Sequence, residues 1–262
     1  CVTITGINGC SRSSCITIIQ NINPPSLSLA AANTTLNCSS PSTVITTNVS
    51  IGLSPFSYIW SFEGISNSNT SSSQNVSEAG NYCVTVTGAN GCTVTKCLNI
   101  VKDFSLPTAG ISASPSTTLT CSVPSIMLTA SGSGTYTWTG GTTGATQTVN
   151  APGTYCVTVT GTNGCTSSTC ITIFQNSTIP TVSISATNLT LTCNIVTTTI
   201  TATPSGGTAP YSNTWTRNGV LLGFTGSSSN VSTPGIYCVT VSGTNGCTSS
   251  TCITIFQNST IP

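Results

Sequence analysis

The chain has 262 residues and carries almost no charge: four Lys or Arg residues, three Asp or Glu residues and no His. So few basic residues exclude the electrostatic surface that nucleic-acid binding requires, and so few acidic residues exclude the ligand set of a calcium site. Without histidine or a close carboxylate pair there is no catalytic constellation, so we predict a protein that is not an enzyme and uses no cofactor. No apolar run is long enough for a transmembrane helix, so we predict no membrane insertion in this segment.

The sequence is internally repetitive. The stretch at 155–170 recurs at 82–97 and 237–252, and a shorter copy at 1–15 opens the chain. Self-similarity at a spacing of roughly 70 to 80 residues marks a repeat architecture. We therefore divide the chain into the C-terminal hairpin of a preceding, truncated repeat (1–20) and three full repeats (21–102, 103–175 and 176–262). This division predicts continuation into further repeats of the same kind.

Each full repeat is predicted to consist of short β-strands closed by one long hairpin. The predicted elements are, in chain order, 26–31, 43–51, 56–62 and the hairpin 82–100; 110–114, 118–122, 125–130, 135–139, 147–150 and the hairpin 155–174; and 198–202, 211–217 and the hairpin 237–252. Short strands with regular turn signals and no helical periodicity predict an all-β tandem array of disulfide-stapled immunoglobulin-like β-sandwich repeats. Short proline-containing linkers predict a stiff rod in which each repeat contacts mainly its neighbours.

The recurring stretch reads as a β-hairpin. Tyr155, Val157 and Val159 alternate with polar residues or cysteine, which is the pattern of a strand with one buried face. Asn163-Gly164 is a hairpin-turn signal, and a three-residue turn would place Gly164 in the left-handed conformation of a G1 bulge. That register sets the cysteines at either end of the stretch directly opposite each other. We therefore predict four cross-strand disulfides: Cys156–Cys170, Cys83–Cys97, Cys238–Cys252 and Cys1–Cys15.

The chain has fifteen cysteines, four in each full repeat and three in the opening hairpin. Many cysteines without histidine in small β units predict a disulfide framework formed in an oxidising, extracellular compartment. Metal binding is the rival interpretation, but Cys92 and Cys97 are too far apart in sequence for most zinc knuckles and have no second close pair nearby. Cys10 is the cysteine left over, with an expected partner upstream.

The remaining cysteines allow two pairings. The order Cys38, Trp60, Cys83 resembles the cysteine–tryptophan–cysteine arrangement of immunoglobulin domains, which would join Cys38 to Cys83 across the sheets. The strand alternation turns Cys83 outward, however, and so favours pairing within each repeat to the cysteine after Asn-Gly. The favoured bridges are Cys38–Cys92, Cys121–Cys165 and Cys193–Cys247. They require the turn after the first strand and the final hairpin turn to lie at the same end of a six-stranded unit.

Each repeat carries one tryptophan, namely Trp60, Trp138 and Trp215. Such residues could stack on sugars, but a fixed strand position in every repeat favours a core residue. Asn-x-Ser/Thr triplets are candidate glycosylation sites, and attached glycans would hydrate a nearly uncharged surface. They occur at Asn33, Asn37, Asn48, Asn69, Asn75, Asn176, Asn188, Asn230 and Asn258.

Several motifs of the third repeat resemble a known family. They are Pro204-Ser-Gly-Gly-Thr-Ala-Pro-Tyr211 with Trp215, Pro234-Gly-Ile-Tyr237-Cys-Val-Thr-Val, and Thr244-Asn-Gly-Cys247-Thr. The pattern resembles the tandem immunoglobulin-like or PKD-like repeats of Bacteroidetes secreted surface adhesins, the SprB-type gliding-motility repeats. The resemblance covers the three full repeats and the opening hairpin, and it supports the pairing of Cys193 with Cys247. The additional pair Cys238 and Cys252 departs from the family, which usually has Thr or another small residue there.

The resemblance implies a structural segment of a long extracellular or cell-surface filament or adhesin. Two other functions stay open: an adhesive array that binds carbohydrates or surfaces, and the stalk of a larger extracellular enzyme. The uncharged surface adds the hypothesis of self-association, which monodisperse monomers in light scattering would reject.

Overall fold

The structure, a computed structural model, describes residues 1–260, which form strands and turns without a helix. The opening hairpin consists of β1 (Val2–Thr5) and β2 (Ser11–Ser14), which pair antiparallel. The described residues contain no helix, and so none that could span a membrane.

The first full repeat is a sandwich of eight strands. They are β3 (Ser26–Ala31), β4 (Thr35–Asn37), β5 (Thr43–Ile51), β6 (Ser57–Phe62), β7 (Ile65–Ser66), β8 (Ser73–Val76), β9 (Gly80–Thr87) and β10 (Thr93–Asp103). One sheet has the order β3-β5-β8 and the other the order β4-β10-β9-β6-β7. The short strand β4 thus leaves the sheet of β3 and pairs parallel with the last strand, β10.

The second repeat follows the same plan with one strand fewer. Its strands are β11 (Gly110–Ser114), β12 (Thr118–Thr120), β13 (Ile126–Ser131), β14 (Thr135–Trp138), β15 (Thr146–Val149), β16 (Gly153–Thr160) and β17 (Thr166–Asn176). The sheets have the orders β11-β13-β15 and β12-β17-β16-β14, and β12 pairs parallel with β17. The shorter spacing between Cys121 and Cys156 therefore corresponds to the missing short strand at the edge beyond β14.

The third repeat restores that edge strand. Its strands are β18 (Pro180–Ala186), β19 (Thr190–Leu191), β20 (Thr198–Gly206), β21 (Ser212–Arg217), β22 (Val220–Leu221), β23 (Ser228–Val231), β24 (Gly235–Ser242) and β25 (Thr248–Gln257). The sheets are β18-β20-β23 and β19-β25-β24-β21-β22. The expectation of six strands in a unit is wrong, because the repeats have seven or eight.

Each sandwich encloses its own hydrophobic core around one tryptophan. Trp60, Trp138 and Trp215 are at most 2% exposed, and each indole N–H donates to a backbone carbonyl at 2.9 Å. The alternating valines of the long hairpins, such as Val157 and Val159, lie in or beside these cores. Burying this apolar surface is the main stabilising term for such small units. The prediction that the tryptophans are core residues is confirmed.

By contacts between residues, the described chain forms two compact units. The first contains residues 1–106 together with the hairpin turn 162–165, and the second contains the remainder. The turn of the second repeat is therefore part of the unit that holds the first repeat. The predicted repeat limits at 20, 102 and 175 stay predictions.

Candidate functional site: the junctions between repeats

The structure brings together all four predicted cross-strand cysteine pairs. Cys83 lies opposite Cys97, Cys156 opposite Cys170 and Cys238 opposite Cys252, each pair with a Cα–Cα distance of 4.0 Å. Cys1 and Cys15 are joined in the same way in the opening hairpin. The cause is the turn: Gly164 has φ +76°, and in the other full repeats Gly88 and Gly243 donate to the carbonyls of Cys92 and Cys247 at 2.9 Å. These bonds set the register that the Asn-Gly signal predicted.

The prediction of bridges closed within each repeat is wrong. In the structure Cys38 is bonded to Cys165 rather than Cys92, and Cys121 is bonded to Cys247 rather than Cys165. Each of these staples joins the first cysteine of one repeat to the Asn-Gly-Cys cysteine of the next. The alternative pairing of Cys38 with Cys83 is also absent, since Cys83 is bonded to Cys97.

Parallel strand pairing is the physical reason for this difference. Cys38 directly follows Asn37, which pairs with Asp103 at the far end of β10, whereas Cys92 directly precedes β10. A strand of this length separates its ends by roughly 35 Å, so Cys38 cannot reach Cys92. The second repeat has the same arrangement, with Thr120 paired to Asn176 at the end of β17.

An asparagine side chain accompanies each staple. In the second unit Asn245 is 4% exposed, and its amide nitrogen donates to the carbonyls of Thr178 at 2.9 Å and Asn176 at 3.4 Å. Its Oδ1 accepts the backbone N–H of Cys247 at 3.2 Å. One side chain therefore ties the hairpin turn to the linker that follows the preceding sandwich. We call this arrangement the Asn clamp.

The Asn clamp occurs three times in the described residues. In the first unit Asn163 donates to the carbonyl of Ser105 at 2.9 Å and accepts from the N–H of Cys165 at 3.1 Å. Asn90 donates to the carbonyls of Asn21 and Asn23 at 3.1 and 3.0 Å. Asn163 and Asn90 are partly exposed, whereas Asn245 is buried. An amide whose donors and acceptor are paired stabilises the contact and fixes its geometry.

Four short linkers share one side-chain hydrogen bond, and three of them receive the clamp. We call them the linker turns; each starts with Asn or Asp, whose side-chain oxygen accepts a hydrogen bond from the residue two positions later. The four linker turns are residues 21–23, 103–105, 176–178 and 258–260. Turns 21–23, 103–105 and 176–178 hold an asparagine of the clamp.

The glycine of the Asn-Gly-Cys turn allows the turn to approach the loop of its staple partner closely. A Cβ on Gly246, which has φ +76°, would lie 2.8 Å from Ser122 Oγ and 2.9 Å from its backbone nitrogen. The same backbone N–H of Ser122 donates to the carbonyl of Asn245 at 3.3 Å. Gly246 therefore serves both the positive φ and the close approach of two backbones.

One carboxylate takes part in a linker turn. Asp103 accepts hydrogen bonds from the hydroxyl and backbone N–H of Ser105 and from the Asn163 amide at 3.1 Å. The bonds from Ser105, and after them the bond from Asn163, lower the pKa of Asp103 below its ordinary value of 3.8. The ionised form of Asp103 is thus favoured at the first junction.

Within the described residues, three cysteines have free thiols. Cys193 and Cys10 are exposed, and Cys92 is partly exposed with its sulfur 3.4 Å from the carbonyl oxygen of Ile22. By contrast, the stapled Cys165 and Cys247 are at most 2% exposed. The sequence analysis predicted disulfide partners for Cys92 and Cys193, and both predictions are wrong.

The candidate glycosylation sites differ in whether the amide nitrogen is available. The amide of Asn69 donates to the carbonyl of Ser73 at 2.8 Å, and that of Asn176 donates to Thr208 at 3.0 Å. Exposed side chains are found at the other predicted positions, Asn33, Asn48, Asn75, Asn188, Asn230 and Asn258, while Asn37 is partly exposed.

The Asn clamp was missed by reasoning from the sequence. Asn before Gly-Cys was assigned to turn chemistry alone, and that role is satisfied by many residues other than Asn at the position before Gly. The available signal was that this Asn is present in all four copies, while the residue before it varies between Ile7, Ala89, Thr162 and Thr244. An invariant amide beside a variable neighbour indicates a contact of the side chain itself.

The comparisons find similar folds at low sequence identity. A structure titled as insight into host cell surface retention of a 1.5-MDa bacterial ice-binding adhesin matches with a TM-score of 0.53 and 16% identity, covering 92% of this chain and 100% of its own. Murine CEACAM1b matches with a TM-score of 0.31 and 14% identity, covering 89% of this chain and 100% of its own. Three N-terminal domains of the Hoc outer capsid protein of bacteriophage RB49 match with a TM-score of 0.36 and 12% identity, covering 91% and 99%.

No protein-family model and no curated protein matches the sequence. At such identities the match to the adhesin structure concerns the fold. The chain is all-β and consists of disulfide-stapled immunoglobulin-like sandwiches in tandem.

Proposed function

We propose that the chain is a structural repeat segment of a long extracellular or cell-surface filament or adhesin, of the type of the Bacteroidetes SprB-like surface adhesins. The observation that carries the proposal is the junction, built twice from the same parts: a staple between successive repeats and an Asn clamp on the linker turn. Such a junction couples neighbouring repeats, which is a mechanical task rather than a catalytic one.

Two further observations support this proposal. Six disulfides in the described residues require an oxidising compartment to form and persist, which favours the outside of the cell. The similar fold of a bacterial ice-binding adhesin, studied for its retention at the host cell surface, also supports the proposal. Continuation into further repeats is part of the proposal.

The rival function is an array that binds carbohydrates. The tryptophans that would act as sugar platforms lie inside the three cores, so they do not support this rival. A glycan array probed with the chain tests it, and selective binding that survives mutation of the junctions would move the assignment to a binding module.

The experiment that tests the proposal is immunogold labelling of intact source cells with antibodies raised against the chain. We expect gold particles in rows along fibres outside the cell, because each fibre would present many copies of the repeat. Label confined to the cell interior would overturn the proposal. Labelled fibres that vanish when the cells are treated with reductant and protease together, but persist with protease alone, would support the role of the staples.

Glycosylation is proposed at the exposed Asn-x-Ser/Thr positions with an available amide, such as Asn48, Asn75 and Asn188. The unmodified chain has a mass of 26.4 kDa. Intact mass spectrometry of native material should show added hexose-containing masses, and peptide mapping should place them at these positions rather than at Asn69 or Asn176. A single unmodified mass would reject glycosylation.

A further inference from the structure

The third repeat carries a staple loop that has no partner in the described residues. Cys193 is the counterpart of Cys38 and Cys121, yet its thiol is free and exposed. We propose that Cys193 and the linker turn 258–260 form a docking site for the Asn-Gly-Cys turn of the opening hairpin in a second copy of this chain, closed by a disulfide. This inference rests on the proposed structural function, and it adds a third junction to the two that the structure contains.

The loop around Cys193 already has the conformation of the stapled loops. Thr192 donates its N–H to the carbonyl of Ile195 at 2.9 Å, and Ile195 donates to Thr192 Oγ1 at 3.1 Å. In the stapled second repeat, Thr120 and Val123 make the equivalent bonds at 2.9 and 3.0 Å. No rearrangement of this loop is therefore needed for a second copy to dock.

The receiving linker turn is also in place. Asn258 donates its N–H to the carbonyl of Leu191 at 2.8 Å, which holds the linker beside the Cys193 loop. Its side-chain oxygen accepts the N–H of Thr260 at 3.1 Å, as in the linker turns 21–23 and 103–105. The carbonyls of Asn258 and Thr260 correspond to those of Asn176 and Thr178, which receive the amide of Asn245. In the described structure they receive no such amide.

The opening hairpin of a second copy presents a turn that fits this site. Gly6 donates to the carbonyl of Cys10 at 2.8 Å, Gly9 has φ +80°, and Asn8 Oδ1 accepts the N–H of Cys10 at 3.1 Å. The opening hairpin thus presents a complete Asn-Gly-Cys turn with an exposed thiol. The turn at Cys92 fits less well, because its asparagine, Asn90, is already bound to the linker turn 21–23.

Docking would bury Cys10, whereas Cys193 would stay exposed, as its stapled counterparts Cys38 and Cys121 are. At the two established junctions the equivalent cysteines, Cys165 and Cys247, are at most 2% exposed, whereas Cys10 is exposed. The bond forms by exchange with a small disulfide such as oxidised glutathione. The Cys10 thiolate attacks it and releases one reduced glutathione; the Cys193 thiolate then displaces the second, so two thiols lose two protons and two electrons to the glutathione disulfide.

The test is to incubate a mixture of ¹⁴N- and ¹⁵N-labelled full chain in a glutathione redox buffer and to analyse it without reduction. We expect a ladder of covalent oligomers, in which mass spectrometry finds Cys10–Cys193 peptides that join light and heavy chains. Cys193→Ser and Cys10→Ser should each abolish this linkage. The matched control Cys92→Ser, which removes the other free thiol, should leave the ladder unchanged.

A second variant separates specific docking from random oxidation. Asn8→Ala keeps both thiols but removes the clamp, and we expect it to lower the yield of Cys10–Cys193 linkage by at least about fivefold. Three results would overturn the inference: Cys10–Cys10 and Cys193–Cys193 linkages as abundant as the Cys10–Cys193 linkage, an unchanged Cys10–Cys193 yield with Asn8→Ala, or monomers alone. These outcomes leave the proposed filament role intact, because immunogold labelling of native fibres tests that role independently.

Discussion

At the scale of single residues, the Asn clamp concentrates several hydrogen bonds in one buried amide. Asn245 has its donors on the linker carbonyls and its acceptor on Cys247, and it is 4% exposed. Loss of a buried side chain with such partners leaves polar backbone groups unsatisfied, which costs about 1–3 kcal/mol. Asn8 occupies the same place in the opening hairpin but is exposed and contacts no linker.

We therefore predict that Asn245→Ala lowers the free energy of unfolding by about 1–3 kcal/mol, and that Asn8→Ala changes it by less than about 0.5 kcal/mol. Urea denaturation measures both, with the fluorescence of Trp215 following the third core and circular dichroism following all strands, including the opening hairpin. Equal effects of the two variants would show that the asparagine acts only within its own turn.

The Asp103 carboxylate makes the first junction sensitive to acid. Its folded-state pKa is lowered by the bonds from Ser105 and Asn163, so the ionised form stabilises the junction above the unfolded pKa, near 3.8, and this contribution is lost as the pH falls through the folded value. We expect the Asp103 carboxyl signal in NMR to titrate below pH 3.8. Asp103→Asn should keep the linker turn, since Asn stands there in the other three linkers, and should remove this part of the acid dependence. An Asp103 signal that titrates at the ordinary value would contradict the assigned bonds.

At the scale of elements, the hairpin turn is shaped for a partner as well as for its own strands. Gly91 and Gly246 have φ of +78° and +76°, but a Cβ on Gly91 would meet nothing within 4 Å. Alanine at Gly91 should therefore cost only the left-handed backbone penalty, about 1–2 kcal/mol. Alanine at Gly246 should add a clash with the backbone of Ser122.

We predict that Gly246→Ala slows formation of the Cys121–Cys247 bridge during oxidative refolding, whereas Gly91→Ala leaves its rate near that of the natural sequence. Alkylation of residual thiols at timed intervals, followed by peptide mapping, measures the two rates. If the variants refold alike, the close approach to Ser122 is not what requires glycine at this turn.

The sequence predicted those features that are determined by neighbouring residues in the chain. The alternation of Tyr155, Val157 and Val159 and the Asn163-Gly164 turn set a local register, so the cross-strand cysteines could be paired before the structure was known. The partner of Cys38 could not, because it depends on the parallel pairing of residues 35–37 with 101–103, far apart in sequence. Nothing within a single repeat indicates that β4 leaves the sheet of β3. Disulfide connectivity is for this reason poorly determined by cysteine spacing.

At the scale of the whole molecule, the two staples overlap along the chain. One spans Cys38 to Cys165 and the other Cys121 to Cys247, with sequence separations of 127 and 126 residues. Closing loops of this length stabilises by about 5 kcal/mol each in the chain-entropy model. The shortest covalent path from Cys38 to Cys247 crosses both staples and the Cys156–Cys170 bridge, and it follows the backbone only at 121–156 and 165–170.

This path limits how far the chain can be stretched. At about 3.5 Å per residue, the segment from Cys38 to Cys247 should extend to no more than about 150 Å with its bridges intact and to about 730 Å after reduction. Pulling the ends of the chain in a force microscope, with and without reductant, measures both lengths. The control variant Cys121→Ser/Cys247→Ser removes one staple and should give an intermediate extension. Full extension without reductant would contradict the pairing.

The overlap also changes what a single cut can do. In an ordinary polypeptide one hydrolysed peptide bond divides the molecule, but between residues 38 and 247 every peptide bond is enclosed by at least one of the two bridges. The chain there is connected like a ladder polymer, in which one broken backbone bond leaves all the pieces covalently joined. The residues before Cys38 and those after Cys247 come apart only after at least three cuts, one in each of the stretches 38–121, 121–165 and 165–247. A protease must therefore cut this segment several times before its two ends separate.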